Sequence, residues 1–336
     1  MAGVIKTFCC TISWEAILLG ELVLVTGATG YIGGRLVPRL LAAGKRVRCL
    51  ARHPERVAGR WPGVEAVHGD LLCPDSFHNA MRDCSAAYYL VHSMSSGEGS
   101  FIDRDRVAAS NFATLASSSS LKRLIYLGGL GKEGSLSNHL ASRHEVGQIL
   151  RESKVPVTEF RAAAIIGSGS ASFELIRYGV GRTPVIPCPS WVDTICQPIA
   201  IRDVLAYLIN ALQEVNSENR VYEIGGSEKL TYRQMLMRYA EIRGLKRLFF
   251  SLPIPMFLAA RWASLVTPLP KSLIEPLFEG LRCSVVVEDL RARQVFNDIS
   301  PLTYSRAVEL ALGRLRSEGP ETNWFDSYSS MARTYG

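Results

Sequence analysis

Residues 22–34 read LVLVTGATGYIGG, a short apolar run followed by glycines at positions 27, 30 and 33. The apolar run predicts a buried strand, and the apolar spacing that continues after Gly34 predicts a helix. A strand, a glycine turn and a helix present the unpaired N–H groups of a helix N-terminus to an anion. The spacing differs from the common G-x-G-x-x-G fingerprint, so a purely structural glycine turn is the alternative. The interpretation that we favour is dinucleotide binding, through Gly27, Thr29, Gly30, Tyr31, Ile32 and Gly33.

The composition is that of a globular protein, with 47% apolar and 21% charged residues in 336. Eight cysteines are present, and no pair has the spacing of a metal site, so we predict reduced thiols, no metal and a cytoplasmic protein. The first 20 residues match neither a secretory signal nor a transit peptide, because Glu15 interrupts their apolar run. We expect a disordered or loosely packed extension there.

Much of the net charge of +7 is concentrated in one segment of the sequence. Residues 31–60 carry eight cations against one acid, Glu55; the cations are Arg35, Arg39, Lys45, Arg46, Arg48, Arg52, Arg56 and Arg60. A positive field beside the glycine turn favours a polyanionic cofactor. Nucleic acid is the rival ligand, but no recognition motif supports it.

The order of the predicted elements indicates the fold. Strands are expected at 46–50, 64–68, 86–91, 124–127, 157–166 and 220–224, and helices at 54–60, 75–82 (opened by Asp75), 101–118, 138–152 and 201–213. Strands that alternate with helices predict an α/β protein with a Rossmann-type, doubly wound parallel sheet. We predict an NAD(P)-binding domain over 21–225, which includes an irregular substrate loop at 167–200, and a smaller, mostly helical cap over 226–336.

Residues 248–270 of the cap are unusually apolar. Arg261 and several prolines argue against a membrane-spanning helix, and the charge-free run is shorter than the ~20 residues that a bilayer needs. Three interpretations stay open: the core of the cap, a surface for lipid or a lipophilic ligand that permits peripheral membrane contact, and a true span.

The second predicted strand ends in Arg52 and His53, where a ribose-binding acid is common in NAD proteins. A carboxylate there would repel a 2′-phosphate, whereas a guanidinium can bind it through two hydrogen bonds. The sequence therefore predicts NADP(H) in preference to NAD(H), with Arg52 as phosphate ligand and Arg35 as a second candidate. A solvated loop arginine is the alternative for Arg52. Asp70 could bind the adenine amino group or simply end a strand.

These residues, with Gly69-Asp70-Leu71 and Tyr126-Leu127-Gly128-Gly129, resemble the atypical and extended short-chain dehydrogenase/reductases, on the side that includes the NAD(P)H-binding NmrA-like proteins. The resemblance covers 22–225 well and 226–315 loosely. It implies a Rossmann-type sheet, a nicotinamide cofactor, and contacts to that cofactor from the glycine turn and from Asp70 and Leu71. It does not fix the reaction.

The catalytic set of that family is absent. The family places a serine at the end of strand five and Tyr-x-x-x-Lys on the next helix, whereas this chain has Gly128-Gly129, His139 and Arg143 at those positions. Residues four apart share a helix face, so His139 and Arg143 can both point into the cleft. A histidine can transfer a proton near neutral pH, while an arginine can only hold an anion. Plain surface positions are the alternative for both.

Two functions are compatible with these residues. One is an NADPH-dependent reductase of a lipophilic small molecule such as a quinone or enone, with His139 and Arg143 as candidate catalytic residues and His92 as a residue near the nicotinamide or a structural one. The other is a non-catalytic NADP(H)-binding sensor or an accessory or assembly protein, because loss of the serine, tyrosine and lysine together is what such a role permits. Isomerases or epimerases on the same scaffold are a third, weaker option, and the oligomeric state is not predicted.

Overall fold

A computed structural model describes residues 20–92, 101–132, 134, 136–323 and 326. Its centre is a parallel sheet of seven strands in the order β3-β2-β1-β4-β5-β6-β11. The strands are β1 Leu22–Thr26, β2 Arg46–Ala51, β3 Glu65–His68, β4 Ala86–Tyr89, β5 Arg123–Gly129, β6 Val157–Ala162 and β11 Arg220–Ile224. The strand order reverses between β1 and β4, which confirms the predicted Rossmann-type, doubly wound α/β fold.

Eleven α-helices lie in the described residues. They are α1 Gly33–Ala42, α2 Pro54–Arg60, α3 Phe101–Ser117, α4 Asn138–Arg151, α5 Ala171–Arg182, α6 Ile201–Asn210, α7 Tyr232–Ile242, α8 Met256–Val266, α9 Lys271–Gly280, α10 Arg291–Val295 and α11 Tyr304–Ser317. Short strands pair outside the main sheet: β7 Ile165–Ile166 with β10 Ile199–Ala200, β9 Ile195–Cys196 with β12 Leu230–Thr231, and β8 Val185–Pro187 with β13 Leu248–Phe250. None of the described helices is both long and apolar enough to cross a bilayer.

The two faces of the sheet carry separate apolar cores. Alternating side chains of β1 show the division, because Val23 and Val25 pack with α1 and α6 while Leu22 and Leu24 pack with α3 and α4. All five residues of β1 are buried, as expected for the central strand of a parallel sheet. The sheet is therefore covered on both faces, and ligands can reach it only at its edges.

Several predicted elements differ in the structure. Asp75 does not begin a helix through Arg82; it lies in a short 3₁₀ turn at 74–76 and its side chain caps nothing. Successive turns follow because Phe77, Ala80 and Met81 are drawn into the core. The predicted strand 157–166 is two strands, β6 and β7, and β7 leaves the main sheet to pair with β10. The predicted strand 86–91 ends at Tyr89.

The prediction of an irregular loop at 167–200 is also wrong. It contains the helix α5 and the short strands β8, β9 and β10. The Ser170 hydroxyl caps α5 by accepting a hydrogen bond from the N–H of Phe173, and Phe173 is buried in a third core with α7 and α11. The glycines and prolines of this region therefore mark the turns between elements.

The predicted boundary between two domains at residue 225 stays a prediction. The region beyond it is mostly helical in the part that the structure describes, as expected. Part of it nevertheless packs on the main sheet, since Ala292 and Phe296 of the α10 segment belong to the core that contains β1 and α1. Further along, Thr322 packs against α1 and is buried. The six described cysteines are free thiols, and Cys9 and Cys10 lie outside the described residues.

Candidate functional site

A large cavity in the described residues opens at the carboxyl edge of the parallel sheet, where the strand order reverses. Its volume is about 550 Å³. One end is lined by the glycine turn and by the residues that follow β2 and β3; the other end is lined by α5, α7 and α9. In an open α/β sheet this position is where ligands bind.

The glycine turn is built by the close approach of backbone to backbone. Gly27 has φ +70°, and a Cβ there would lie 2.6 Å from the carbonyl oxygen of Leu90. A Cβ on Gly33 would lie 2.3 Å from the carbonyl oxygen of Gly27. The turn is closed by the N–H of Gly30, which donates to Gly27 at 3.0 Å, and α1 begins immediately after it. These positions accept only glycine, and they direct the start of α1 at the cavity.

All of the predicted cofactor residues line this cavity: Gly27, Thr29, Gly30, Tyr31, Ile32, Gly33, Arg52, Asp70, Leu71 and His92. Arg52 is exposed and has no ion pair or hydrogen bond to the described residues. One carboxylate oxygen of Asp70 accepts the N–H of Leu72 at 3.0 Å, so the residue orders the turn after β3. Arg56 and Arg104, which the sequence analysis did not single out, line the same cavity and add positive charge.

Arg35 is not available as a second phosphate ligand. Its guanidinium is buried and turned away from the cavity, where Nε donates to the Thr322 hydroxyl at 2.7 Å and Nη2 donates to the Ser168 carbonyl at 2.7 Å. It also lies over the Tyr31 ring, 4.7 Å from the centroid. Burial raises the pKa of Tyr31 far above its ordinary value, so the phenol stays protonated.

Two histidines and one acid form a connected chain at the cavity wall. His92 Nδ1 lies 3.0 Å from Asp105 Oδ2, and His92 Nε2 lies 2.7 Å from His139 Nε2. The Ser142 hydroxyl also donates to Asp105, at 3.4 Å. Burial and the nearby Arg143 charge lower the pKa of His92, although Asp105 opposes that shift. Burial, His92 and Arg143 lower the pKa of His139 well below its usual value.

These shifts determine the protonation states at neutral pH. The lowered pKa values keep both imidazoles neutral, and His92 donates from Nδ1 to the carboxylate of Asp105. Its Nε2 must then accept a hydrogen bond from Nε2–H of His139, which leaves Nδ1 of His139 as a lone pair. The hydrogen-bonded residues Asp105, His92 and His139 can together take up one proton from outside and return it through His139.

Arg143 contributes a fixed charge beside this chain. One Nη2–H of its guanidinium donates to the carbonyl oxygen of Leu127, and its backbone carbonyl accepts the Tyr126 hydroxyl at 2.9 Å. Its Nε is buried and has no hydrogen-bond partner among the described residues. A buried, unpaired donor on a cavity wall is unusual and suits a ligand oxygen. His139 and Arg143 both line the cavity, as their spacing on α4 predicts.

Gly129, at the end of β5, lies beside two residues of α4. A Cβ on Gly129 would lie 2.6 Å from a methyl group of Leu140 and 3.4 Å from Cδ of Arg143. A serine there would require the end of the Leu140 side chain to move, whereas its distance to Arg143 would be an ordinary van der Waals contact. The side chains on the cavity wall that can hydrogen-bond a ligand include His139 and Arg143.

Sequence reasoning missed Asp105, although a signal was present. On α3, Asp105 shares a buried face with Ala108, Ala109 and Phe112, at the spacing i, i+3, i+4 and i+7. An acid on an otherwise apolar helix face requires a partner, because an unpaired buried charge is costly. A histidine such as His92 meets that requirement.

The end of the cavity away from the glycine turn is apolar. Its side chains come from α5, α7 and α9 and from the residue that follows α9: Leu175, Ile176, Tyr232, Met235, Leu273, Pro276, Leu277 and Leu281. Trp191, which the sequence places in the predicted substrate loop, lies behind this wall and packs edge-to-face on Phe278 with centroids 5.5 Å apart.

Comparisons with known proteins agree with this geometry. A family model described as NAD(P)H-binding matches residues 27–175. A (4-alkanoyl-5-oxo-2,5-dihydrofuran-3-yl)methyl phosphate reductase of Streptomyces griseus is 28% identical over 285 residues, which are 81% of this chain and 93% of that protein. A ceramide reductase of Caulobacter vibrioides is 26% identical over 257 residues, 72% of this chain and 78% of that protein.

Among solved structures, the triphenylmethane reductase of Citrobacter sp. complexed with NADP(H) matches with a TM-score of 0.71 at 19% identity. The match covers 86% of this chain and 99% of that one, and it supports the fold. The family match, the related reductases and the fold agree with the expectation from sequence. The chain is similar to NAD(P)H-binding reductases of the short-chain dehydrogenase/reductase type, and residues 27–175 match the NAD(P)H-binding model.

Proposed function

We propose that the protein is an NADPH-dependent reductase of a lipophilic acceptor of the quinone or enone class. One observation carries the proposal: a single cavity is lined by the glycine turn, by Arg52 and by a set of apolar side chains, and His92, His139 and Arg143 lie on its wall with Asp105 behind His92. A dinucleotide suits the end with the glycine turn, and an apolar acceptor suits the apolar end. A peripheral membrane contact through residues 248–270 would bring such an acceptor close to the apolar end of the cavity.

The preference for NADPH is proposed from charge. Arg52 and Arg56 line the cavity after β2, and the acid in this turn, Glu55, lies beside His53 at 3.3 Å. Two guanidinium groups favour a 2′-phosphate, because charge-assisted hydrogen bonds to phosphate are among the strongest in proteins. The glycine turn and the start of α1 fit the diphosphate, because both line the cavity and the first N–H groups of a helix lack intrahelical partners.

Bound NADPH supplies the hydride, and the reduced acceptor then needs one proton. We assign that proton to His139, whose protonated Nδ1 donates to the acceptor oxygen or carbon. His92 and Asp105 hold the ring of His139 in place and stabilise the added charge. Because burial lowers the pKa values of both imidazoles, the protonated pair is a strong acid and gives its proton up readily.

Arg143 cannot perform this step, because its guanidinium stays protonated at any working pH. Its unpaired Nε is a donor for an oxygen that becomes negative during hydride transfer, or for a ribose hydroxyl. Either contact stabilises the reacting complex, and an oxyanion donor of this kind can contribute about 3 kcal/mol to the transition state.

The test follows NADPH oxidation by absorbance with a panel of quinones and enones. We expect turnover with at least one apolar acceptor, and a loss of at least tenfold in kcat for His139→Gln with little change in KM for NADPH. The matched control is His78→Gln, because His78 is exposed and contacts only a nearby carbonyl oxygen. Equal activity of the His139 and His78 variants would contradict the assignment.

A second function is favoured by a separate observation. Glycine stands at the end of β5 where the resembling family has a serine, so this position supplies no hydroxyl donor for a substrate carbonyl. A non-catalytic NADP(H) sensor or accessory protein would tolerate this loss. Micromolar affinity for NADPH without turnover of any acceptor would favour that function over the reductase.

A further inference from the structure

We propose that one face of α8 docks on an anionic membrane surface. We call this the docking face and define it by Phe257, Leu258, Arg261 and Leu265. These positions are separated by one, three, four, seven or eight residues, which places them on one side of a helix. The proposal rests on the membrane contact named in the proposed function and assigns it to particular residues and a lipid charge; it is independent of turnover, since membrane binding can occur with or without it.

The docking face is exposed although it is apolar. Phe257 is 70% exposed, Leu265 is 78% exposed and Leu258 is 45% exposed. Ala260 and Ala263, on the opposite side of α8, are buried against α9. The helix therefore packs through these alanines and the half-buried Met256 and Trp262, and it leaves the large apolar side chains of the docking face outside. Single exposed apolar residues are ordinary, but a row of them on one helix face indicates an interaction surface.

The apolar surface continues beyond the helix. Leu248, Phe250 and Leu252 precede α8 and are also exposed, at 62%, 37% and 41%. Leu248 and Phe250 lie on β13, a three-residue strand that pairs on one side with β8. A helix and a short strand with exposed apolar side chains give an extended surface of the kind that sits at the boundary between headgroups and acyl chains.

Charge identifies the occupant. Between Glu241 and Glu275 the chain has five cations and no acid; the cations are Arg243, Lys246, Arg247, Arg261 and Lys271. Lys271 pairs with Glu275, and Arg247 donates to backbone carbonyls while keeping its charge. Arg261 lies within the docking face, is exposed and has no ion pair with the described residues. Its long side chain can reach headgroup phosphates while its stem stays among the apolar groups. Cations around an apolar face match an anionic membrane, whereas a second copy of the chain would bring like charges together.

The position of α8 relates the membrane contact to the cavity. The helix packs on α9, and α9 supplies Leu273, Pro276 and Leu277 to the apolar end of the cavity. A lipophilic molecule dissolved in the bilayer would thus approach that end of the cavity. This consequence rests on the proposed reductase activity, but the docking itself does not.

The test is flotation of the full chain with vesicles of phosphatidylcholine alone or of phosphatidylcholine with phosphatidylserine. We expect binding to the anionic vesicles that weakens as salt is raised, because exposed charges are screened. Phe257→Ser with Leu265→Ser should lower the partition coefficient at least tenfold. Arg261→Gln should lower it about fivefold on anionic vesicles and leave binding to neutral vesicles unchanged.

The matched control is Leu290→Ser, because Leu290 is also exposed but lies beside α10, away from the docking face. Thermal unfolding of each variant verifies that it is folded. No binding to anionic vesicles, or equal binding of the Leu290 and Phe257/Leu265 variants, would overturn the proposal. A dimer in light scattering that the Phe257/Leu265 variant abolishes, without vesicle binding, would assign the face to a second copy instead.

Discussion

Replacing Asp105 by asparagine should lower the pH at which the site can donate a proton. The carboxylate accepts a charge-assisted hydrogen bond from His92, and its charge opposes the effect of burial on the imidazole. A charge-assisted bond contributes about 1.5–3 kcal/mol and a neutral one about 0.5–1.5 kcal/mol. The difference of about 1.4 kcal/mol corresponds to about one pKa unit.

The effect on rate follows from that shift. Above its pKa, the protonated fraction of the pair falls tenfold for each unit, so Asp105→Asn should reduce acceptor reduction at pH 7 about tenfold. The wild-type rate should itself rise as pH falls, with an apparent pKa below the usual histidine value, because the pKa values of both histidines are lowered. The affinity for NADPH should not change.

The assay is a pH profile of kcat, together with NMR titration of the histidine ring protons, which needs no acceptor. Asp103→Asn is the matched control, since Asp103 is an exposed acid on the same helix that pairs with Arg106. If the profiles and ring titrations of wild type, Asp105→Asn and Asp103→Asn coincide, Asp105 does not act through the histidines.

Two further substitutions and a change of pH test the residues that support the site. Gly33→Ala should weaken NADPH binding at least tenfold in calorimetry, because its Cβ would lie 2.3 Å from a carbonyl oxygen, whereas Gly59→Ala, with open space around it, should bind normally. Thr322→Val should lower the free energy of unfolding in urea by about 2 kcal/mol, because it removes the partner of a buried guanidinium and of a carbonyl in the glycine turn; an unchanged midpoint would contradict this. Unfolding temperature should fall as pH drops below about 6.5, since the unfolded chain binds protons at histidine more readily than the folded one. A combined His92→Gln, His139→Gln variant should show a smaller fall, and an equal fall would place the titrating groups elsewhere.

Local patterns predicted the sheet and the glycine turn because both are set by residues close in sequence. The run at 22–25 and the glycines that follow it constrain the backbone directly. The prediction of a helix after Asp75 was wrong, because the core contacts that Phe77 makes with residues distant in sequence outweigh a local capping preference. The helix α5 was missed because its glycine- and proline-rich surroundings conceal a buried apolar face.

The part of the candidate site that was predicted is the part set by residues close in sequence. His139 and Arg143 are four residues apart on one helix, so their shared face is visible in the sequence. Asp105 and His92 reach them from other elements, and that contact depends on the packing of α3 against α4. The misassignment of Arg35 has the same origin, because its partner Thr322 is 287 residues away in the chain.

Calorimetric titration of the purified protein with NADPH and with NADH measures whether the glycine turn and Arg52 bind a dinucleotide. We expect NADPH to bind more tightly than NADH, and Arg52→Ala to weaken NADPH ten- to a hundredfold while NADH changes less than about twofold. Arg82→Ala, at an exposed arginine away from the cavity, should change neither affinity. Binding of neither dinucleotide would contradict the proposed function as a whole, and equal losses for the two dinucleotides in Arg52→Ala would contradict the role of that guanidinium.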